Sequence, residues 1–454
     1  MDLSIVILAA GQGTRMNSRL PKVLQPLAGR PLLRHVVACS TELGAASVCI
    51  VYGHGGDEVQ AAFEGEALDW ALQAEQLGTG HAVMQAMPHV DDDCRVLILF
   101  GDVPLITAGT LQSLLDECPA DQLGVLTVVL DDPTGYGRIV RENGKVVRNV
   151  EHKDASEAER AITEINSGVM CAPAAKLKGW LDRLGNDNSQ GEYYLTDVID
   201  MAVSDGTGVQ GVIADDPEEV AGINDKRQLA MAERAYQRRT VDALMKQGVG
   251  FADPARVDIR GTLRCGRDVF IDVNAVFEGE VELGDNVTIE SNNLLRDCRI
   301  GDGSVVHSNS HIEGAVMGRD CEIGPFARLR PGADLADRVK VGNYVEIKKS
   351  RVADGSKVNH LTYIGDAEIG SGVNVGAGTI TCNYDGANKH KTVIGDGAFI
   401  GSGVELVAPV EVGAEAVIGA GSTLSKPAPA DKLTVARARQ VTVDGWKRPV
   451  KKPK

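Results

Sequence analysis

The 454-residue sequence predicts an α/β chain in three segments: a sheet domain covered by helices over residues 1–224, a connecting helix over 225–248 and a parallel β-helix over 249–454. Three observations carry this. Aliphatic runs alternate with helix-like stretches in the first half, an amphipathic stretch follows, and beyond about residue 251 aliphatic residues recur at every sixth position.

In the first segment, Ile5-Val6-Ile7-Leu8, Val48-Cys49-Ile50-Val51 and Val96-Leu97-Ile98-Leu99-Phe100 read as strands buried on both faces. The stretches between them are long enough for crossover helices. The apolar start, Leu3 to Ala10, has no basic region before it and runs into a glycine loop, so it is a first strand rather than a signal peptide. From Lys226 to Gln247, Leu229, Ala232, Tyr236, Val241 and Leu244 recur near helical spacing, and Gly248 is the stop. Such a helix would span about 33 Å.

The third segment repeats every six residues: Ile323, Leu329, Leu335, Val341, Ile347, and later Ile394, Ile400, Leu406, Val412, Ile418, Leu424. This period suits neither an α-helix nor a hairpin sheet. It suits a coil whose short sides each take one hexad, with the aliphatic side chain inward and a small residue turning the corner. That use explains 52 glycines without a collagen period. Thr381 to Ile394 is 13 positions, read as one more than two repeats. The polar, basic run Cys382-Asn383-Tyr384-Asp385-Gly386-Ala387-Asn388-Lys389-His390-Lys391 is either a ligand loop or a tolerated surface insertion.

Composition narrows the function. An apolar fraction of 43% with 24% charged residues is ordinary for a globular chain. A net charge of −16 disfavours nucleic acid and anionic membrane, so a phosphate ligand must be met by a few local cations. Nine cysteines without a CxxC pair read as reduced thiols, which points to the cytoplasm. No apolar run is long enough to span a membrane.

The first strand leads into Leu8-Ala9-Ala10-Gly11-Gln12-Gly13-Thr14-Arg15-Met16, then Leu20-Pro21-Lys22. Met16 breaks the dinucleotide fingerprint, and no Gly-Lys-Ser/Thr follows to make a P-loop. The glycines let backbone N–H groups approach a phosphate chain, while Arg15 and Lys22 supply positive charge. Phe100-Gly101-Asp102-Val103-Pro104 places a carboxylate just past a buried strand, where α/β folds bind ligands.

With Thr14, Arg15 and Pro21-Lys22 at this spacing, the loop resembles the sugar-nucleotide pyrophosphorylase signature. The hexads resemble the left-handed β-helix acyltransferases. Taken in order, and with Gln190-Gly191-Glu192-Tyr193-Tyr194-Leu195-Thr196-Asp197, essentially the whole chain resembles one family. Its members are the bacterial bifunctional N-acetylglucosamine-1-phosphate uridylyltransferases and glucosamine-1-phosphate N-acetyltransferases.

The resemblance implies a Rossmann-like nucleotidyltransferase domain and a left-handed β-helix. In the first, Leu8, Ala9, Ala10, Gly11, Lys22, Gln73, Gly78, Thr79, Phe100 and Gly101 would meet UTP, with Lys22 and Arg15 catalytic. Asp102 and Asn224 would hold magnesium, and Gly137, Glu151 and Asn166 the sugar. Phe100 stands where the family more often has tyrosine. In the second, His360 would be the base for acetyl transfer and Glu346 would orient it. Arg330, Lys348, Tyr363, Asn374 and Lys389 would bind glucosamine-1-phosphate. Ala377, Asn383, Tyr384, Ser402, Ala420 and Arg437 would line the acetyl-coenzyme A groove. The implied substrates are UTP, N-acetylglucosamine-1-phosphate, glucosamine-1-phosphate and acetyl-coenzyme A, with no nucleic acid or membrane partner. A homotrimer with acetyl sites between subunits is also implied.

Two alternatives stay open at this point. The β-helix could serve assembly alone, with His360 structural. His307, His311, His360 and His390 could instead bind metal as in hexapeptide hydratases, although their spacing gives no convincing ligand set. The basic tail from Trp446 to Lys454 is either solvated or a coenzyme-phosphate contact.

Overall fold

The computed structural model describes residues 1–451 apart from His54 and Ser189. The end of the basic tail, Lys452-Pro453-Lys454, lies outside the described residues. Two compact units divide the chain, Met1–Tyr236 and Gln237–Lys454.

In the first unit the expected runs form strands Leu3–Leu8, Ser47–Tyr52 and Arg95–Phe100. Leu3–Leu8 lies parallel between the other two. Ile5, Val6 and Ile7 are all buried, because apolar layers cover both faces of the sheet. The sheet is nevertheless mixed: Glu164–Pro173 runs antiparallel to both Arg95–Phe100 and Leu123–Val129. Its early residues therefore return to the carboxyl end of Arg95–Phe100. They also pair, through Ile165 and Arg138, with the hairpin Arg138–Glu142 and Lys145–Val150. This reversal delivers Gly137, Glu151 and Asn166 to the same end of the sheet as Asp102.

The second unit is a parallel β-helix. Ile289 pairs with Val306, Val306 with Ile323, Ile323 with Val341 and Val341 with Val358, so one coil takes 17 or 18 residues. Three hexads thus make one turn. All eleven aliphatic positions of the repeat are buried inside it, each contributing roughly 1.5–3 kcal/mol over an exposed side chain.

One corner of the coil requires left-handed backbone at every level. Asn274, Asn292 and Asn309 occupy it first, then Phe326, Tyr344 and Leu361, then Gly378, Gly403 and Gly421, all at positive φ. Asparagine and glycine accept this conformation readily, whereas the three bulky residues do so at a cost of about 1–2 kcal/mol each.

The interruption is larger than the hexad count suggests. Thr381 pairs with Leu406, and Ile369 with Ile394, each 25 positions on rather than 18. From Thr381 to Ile394 the chain advances by one side of the coil, so the segment is a single repeat plus seven inserted residues. Counting in sixes misses this, since 13 is also one more than two repeats.

The helix Lys226–Lys246 crosses the division between the units. Ala232, Ala235, Leu229 and Tyr236 join an apolar cluster of the first unit, while Val241 and Leu244 belong to the core of the second. Gly248 follows at φ +101°, as the stop requires. No helix among the described residues is long and apolar enough to cross a membrane.

Candidate active sites

The first site opens where the strands Leu3–Leu8 and Arg95–Phe100 end. Ten expected residues line one cavity: Leu8, Ala9, Ala10, Gly11, Lys22, Gln73, Gly78, Thr79, Phe100 and Asp102. Local geometry explains the motif's spacing. Gly13 has φ +59°, and a Cβ there would lie 2.6 Å from Lys22 Cβ, so this glycine lets the loop close on the lysine stem. Gly11 faces open space. Arg15 is exposed on the short turn Thr14–Met16 beside the loop.

Lys22 Nζ donates to Asp102 Oδ2 and, at 3.2 Å, to Asn224 Oδ1. The Asp102 and Asn224 oxygens therefore converge on one cationic centre. Backbone geometry keeps them together, because the Ile223 N–H donates to the Asp102 carbonyl at 2.9 Å. Two oxygen donors able to share one cation are the set that magnesium, with water and phosphates completing its shell, requires.

At the cavity's other wall, buried Gln73 donates through Nε2 to the Gly78 carbonyl at 3.0 Å. Gly78, at φ +105°, sits against the Tyr193 backbone, where a Cβ would approach the carbonyl oxygen to 2.6 Å. Thr79 begins the helix Thr79–Ala86. Phe100 packs its ring on Gly168, so it is an apolar wall beside Asn166. Gly101 packs behind the cavity, against Leu33, Ala9 and Val23.

The three residues expected to hold the sugar gather nearby. Glu151 lines a neighbouring cavity that shares Thr79 and Glu192 with the first. Asn166 N–H donates to the Gly137 carbonyl at 3.1 Å. Asn149 Nδ2 donates to Glu151 Oε1 at 3.1 Å and lies where a Cβ on Gly137 would point. Asn149 Oδ1 and Asn166 Nδ2 are buried without a hydrogen-bond partner among the described residues. Each orphaned group costs about 1–3 kcal/mol until something pairs with it. The surroundings are acidic, and burial together with Asp200 and Glu151 raises the carboxyl of Asp197.

Sequence reasoning missed Gln76, Glu192 and Asn149. Gln76 sits inside the run Gln73 to His81 and its Oε1 accepts from Gln12 Nε2 at 2.7 Å, a pairing that no spacing rule foretells.

The second site surrounds a corner of the β-helix. His360 ends the strand Lys357–His360, and Tyr363 begins the next, Tyr363–Gly365. Backbone bonds stack one column along this edge: Leu361 N–H donates to the Asn343 carbonyl, Gly378 to His360, Gly403 to Ala377 and Gly421 to Ser402. Asn343, His360, Ala377, Ser402 and Ala420 are therefore successive levels of one edge, and the residues that follow the histidine along it are small. At the last level Arg437 donates through Nη1 to the Ala420 carbonyl.

His360 is exposed, and its Nδ1 lies 3.0 Å from Asn343 Oδ1. An amide oxygen can only accept, so this contact puts the proton on Nδ1 and leaves Nε2 with its lone pair. The expected orienting residue, Glu346, does not meet His360. It starts the next side of the coil and accepts from Arg330 Nη1 at 2.8 Å, whereas Asn343 is one level below His360 in the same column.

The residues expected to hold the sugar phosphate stand on neighbouring sides of the coil and on the inserted loop. Glu346 is in register with Tyr363, and Lys348 with Gly365, whose missing side chain leaves room for the Tyr363 hydroxyl and Asn383. Asn374 lies on the His360 ladder, paired with Lys357. The buried Asn383 is held by Asp366 at the base of the inserted loop. Lys389 Nζ stands 4.2 Å from the centroid of the Tyr384 ring.

A glycine loop leading from the first strand of an α/β sheet, joined to a coil of six-residue repeats, defines a nucleotidyltransferase-type unit carrying a hexapeptide transferase domain. Comparison with known proteins agrees. Residues 5–167 match the MobA-like NTP transferase domain, and residues 391–426 match the bacterial transferase hexapeptide model of six repeats. The Bifunctional protein GlmU of Janthinobacterium sp. (strain Marseille) is 58% identical over 99% of both chains. Those of Aromatoleum aromaticum and Herminiimonas arsenicoxydans are 58% and 57% identical, also over 99% of each chain.

The chain belongs to the GlmU family. It is a bifunctional enzyme with uridylyltransferase and acetyltransferase activities.

Proposed function

We propose that the second unit acetylates glucosamine-1-phosphate from acetyl-coenzyme A, and that the first joins the product to UTP, giving UDP-N-acetylglucosamine and pyrophosphate. The observation that carries this reading is that each unit holds its own set of reactive groups: Lys22, Asp102 and Asn224 in one, and the His360 column in the other.

In uridylyl transfer, a phosphate oxygen of the sugar phosphate attacks the α-phosphorus of UTP as the bond to the pyrophosphate oxygen breaks. Backbone N–H groups of the loop at Gly11 and the cations of Arg15 and Lys22 balance the charge gathering there. Gln73 and Gly78 face the base, and Glu151, Asn166 and the backbone of Gly137 hold the sugar. The two orphaned amide atoms of Asn149 and Asn166 support this assignment, because a sugar bearing hydroxyls and an acetamido group satisfies both. Asp102 and Asn224 would hold magnesium, which supplies neutralisation of the triphosphate.

In acetyl transfer, the amine nitrogen attacks the thioester carbonyl while His360 Nε2 takes the amine proton. The carbon–sulfur bond then breaks, and the proton passes to the departing thiolate. Arg330, Lys348, Tyr363, Asn374 and Lys389 grip the sugar phosphate, with Glu346 fixing the Arg330 guanidinium. Ala377, Asn383, Tyr384, Ser402, Ala420 and Arg437 form the coenzyme groove.

Asn343 fixes the tautomer of His360, so Asn343→Ala is expected to lower kcat for acetyl transfer about tenfold with little change in KM. Measuring both constants at saturating coenzyme checks this.

The working form is a homotrimer. Phe326, Tyr344 and Leu361 stand 47%, 57% and 62% exposed on one corner, beside Asn343 and His360. Bulky apolar residues in left-handed backbone are costly to leave in water, and a second copy would cover them. The cytoplasm suits nine cysteines that are all unpaired.

A product assay with glucosamine-1-phosphate, acetyl-coenzyme A, UTP and magnesium, leaving out one component at a time, tests the whole scheme. Omitting UTP or magnesium is expected to leave N-acetylglucosamine-1-phosphate accumulating; omitting the acetyl donor should stop both products. Acetyl transfer that needs the metal would contradict it.

A further inference from the structure

The inserted loop is exposed and has no apolar core of its own, yet it holds Lys389 and Tyr384 against each other. Its bonds converge on one side chain. Asp385 Oδ1 accepts from the Ala387 N–H at 2.8 Å and the Asn388 N–H at 2.7 Å, and Asp385 Oδ2 lies 2.6 Å from His390 Nε2. These three donors hold the Asp385 carboxyl far below the usual carboxylate range, led by the Asn388 backbone and then His390. The hairpin this closes is small. Asp385 N–H donates to the Asn388 carbonyl at 3.2 Å, His390 N–H donates to the Asn383 carbonyl at 2.8 Å, and Tyr384 faces Lys389 as its cross-strand partner.

We propose that Asp385 is a positioning residue for acetyl transfer: its carboxylate folds the inserted loop so that Lys389 and Tyr384 are presented as one ligand-binding pair. The inference rests on the assignment of those two residues to the sugar phosphate and the coenzyme made above. Asp385 itself need touch neither substrate. Without a carboxylate at this place, nothing else in the loop satisfies the Ala387 and Asn388 N–H groups together, and the turn has no reason to prefer one shape.

The test compares Asp385→Ala, Asp385→Asn and Lys389→Ala in the full-length protein, with uridylyl transfer measured on the same samples as the check of folding. Asp385→Ala is expected to lower kcat/KM for acetyl transfer about thirtyfold, chiefly through KM for glucosamine-1-phosphate, as loss of all three bonds to a charged acceptor implies. Asp385→Asn keeps an oxygen that can accept both N–H groups and should recover to within about fivefold of the original. A merely structural effect would not divide KM from kcat, nor be rescued by asparagine. If Lys389→Ala is impaired while Asp385→Ala stays within about threefold of the original, or asparagine is no better than alanine, this inference fails alone. If Lys389→Ala is itself unimpaired, the assignment of the loop fails and this inference with it.

Discussion

Replacing His360 by alanine is expected to lower acetyl transfer by about a thousandfold, the contribution of a positioned general base, while uridylyl transfer is unchanged. The expectation follows from where the imidazole sits. Asn343 meets its Nδ1, the histidine is exposed, and the Ala377, Ser402 and Ala420 edge runs away from it. Among the described residues no carboxylate bonds the His360 ring, and Glu346 is paired with Arg330. Removing the imidazole disturbs no core, because His360 is exposed on the corner. Both rates measured on one preparation decide the matter.

Asp102→Ala is expected to do the opposite, lowering uridylyl transfer about a thousandfold and sparing acetyl transfer. Two losses combine in this change. The cation site proposed above loses the one carboxylate assigned to it, leaving the neutral Asn224 amide as the other assigned oxygen donor. Lys22 loses the partner that aims its ammonium into the cavity. An effect on kcat beyond any change in KM for UTP would mark a group acting on the transition state rather than on binding alone. Asp102→Asn should fall between, since it retains an oxygen donor and gives up the charge.

The coil was legible because its chemistry is periodic. One inward aliphatic residue per side, with asparagine, aspartate or glycine at the corners, writes the fold into every sixth position. The glycine loop was legible for a related reason: Gly13 must be glycine for the loop to close on Lys22, and both lie within one short stretch. Where sequence reading fell short, the missing information was three-dimensional. The antiparallel return of Glu164–Pro173 has no local signature, yet it brings Asn166, and through the hairpin Asn149 and Glu151, to the carboxyl end of the sheet.

The orienting partner of His360 shows the same thing from the other side. The family resemblance alone points to Glu346 as the orienting residue. Coil geometry selects instead the residue 17 positions earlier, Asn343, in register with His360. That step, continued upward to Ala377, was present in the sequence all along. It becomes readable only once the length of a coil is known. The seven-residue insertion shifts the later levels to Ser402 and Ala420, so a fixed period would have missed them.

Mixing the two variant proteins tests the two-site claim most directly. His360→Ala and Asp102→Ala are each expected to be severely impaired in converting glucosamine-1-phosphate, acetyl-coenzyme A and UTP to UDP-N-acetylglucosamine. Combined in one tube they should restore the conversion, with N-acetylglucosamine-1-phosphate passing from the protein that makes it to the one that consumes it. A mixture that stays inactive although each folded variant retains its remaining half-reaction, or a variant that has lost both half-reactions, would contradict the division of chemistry between the two units.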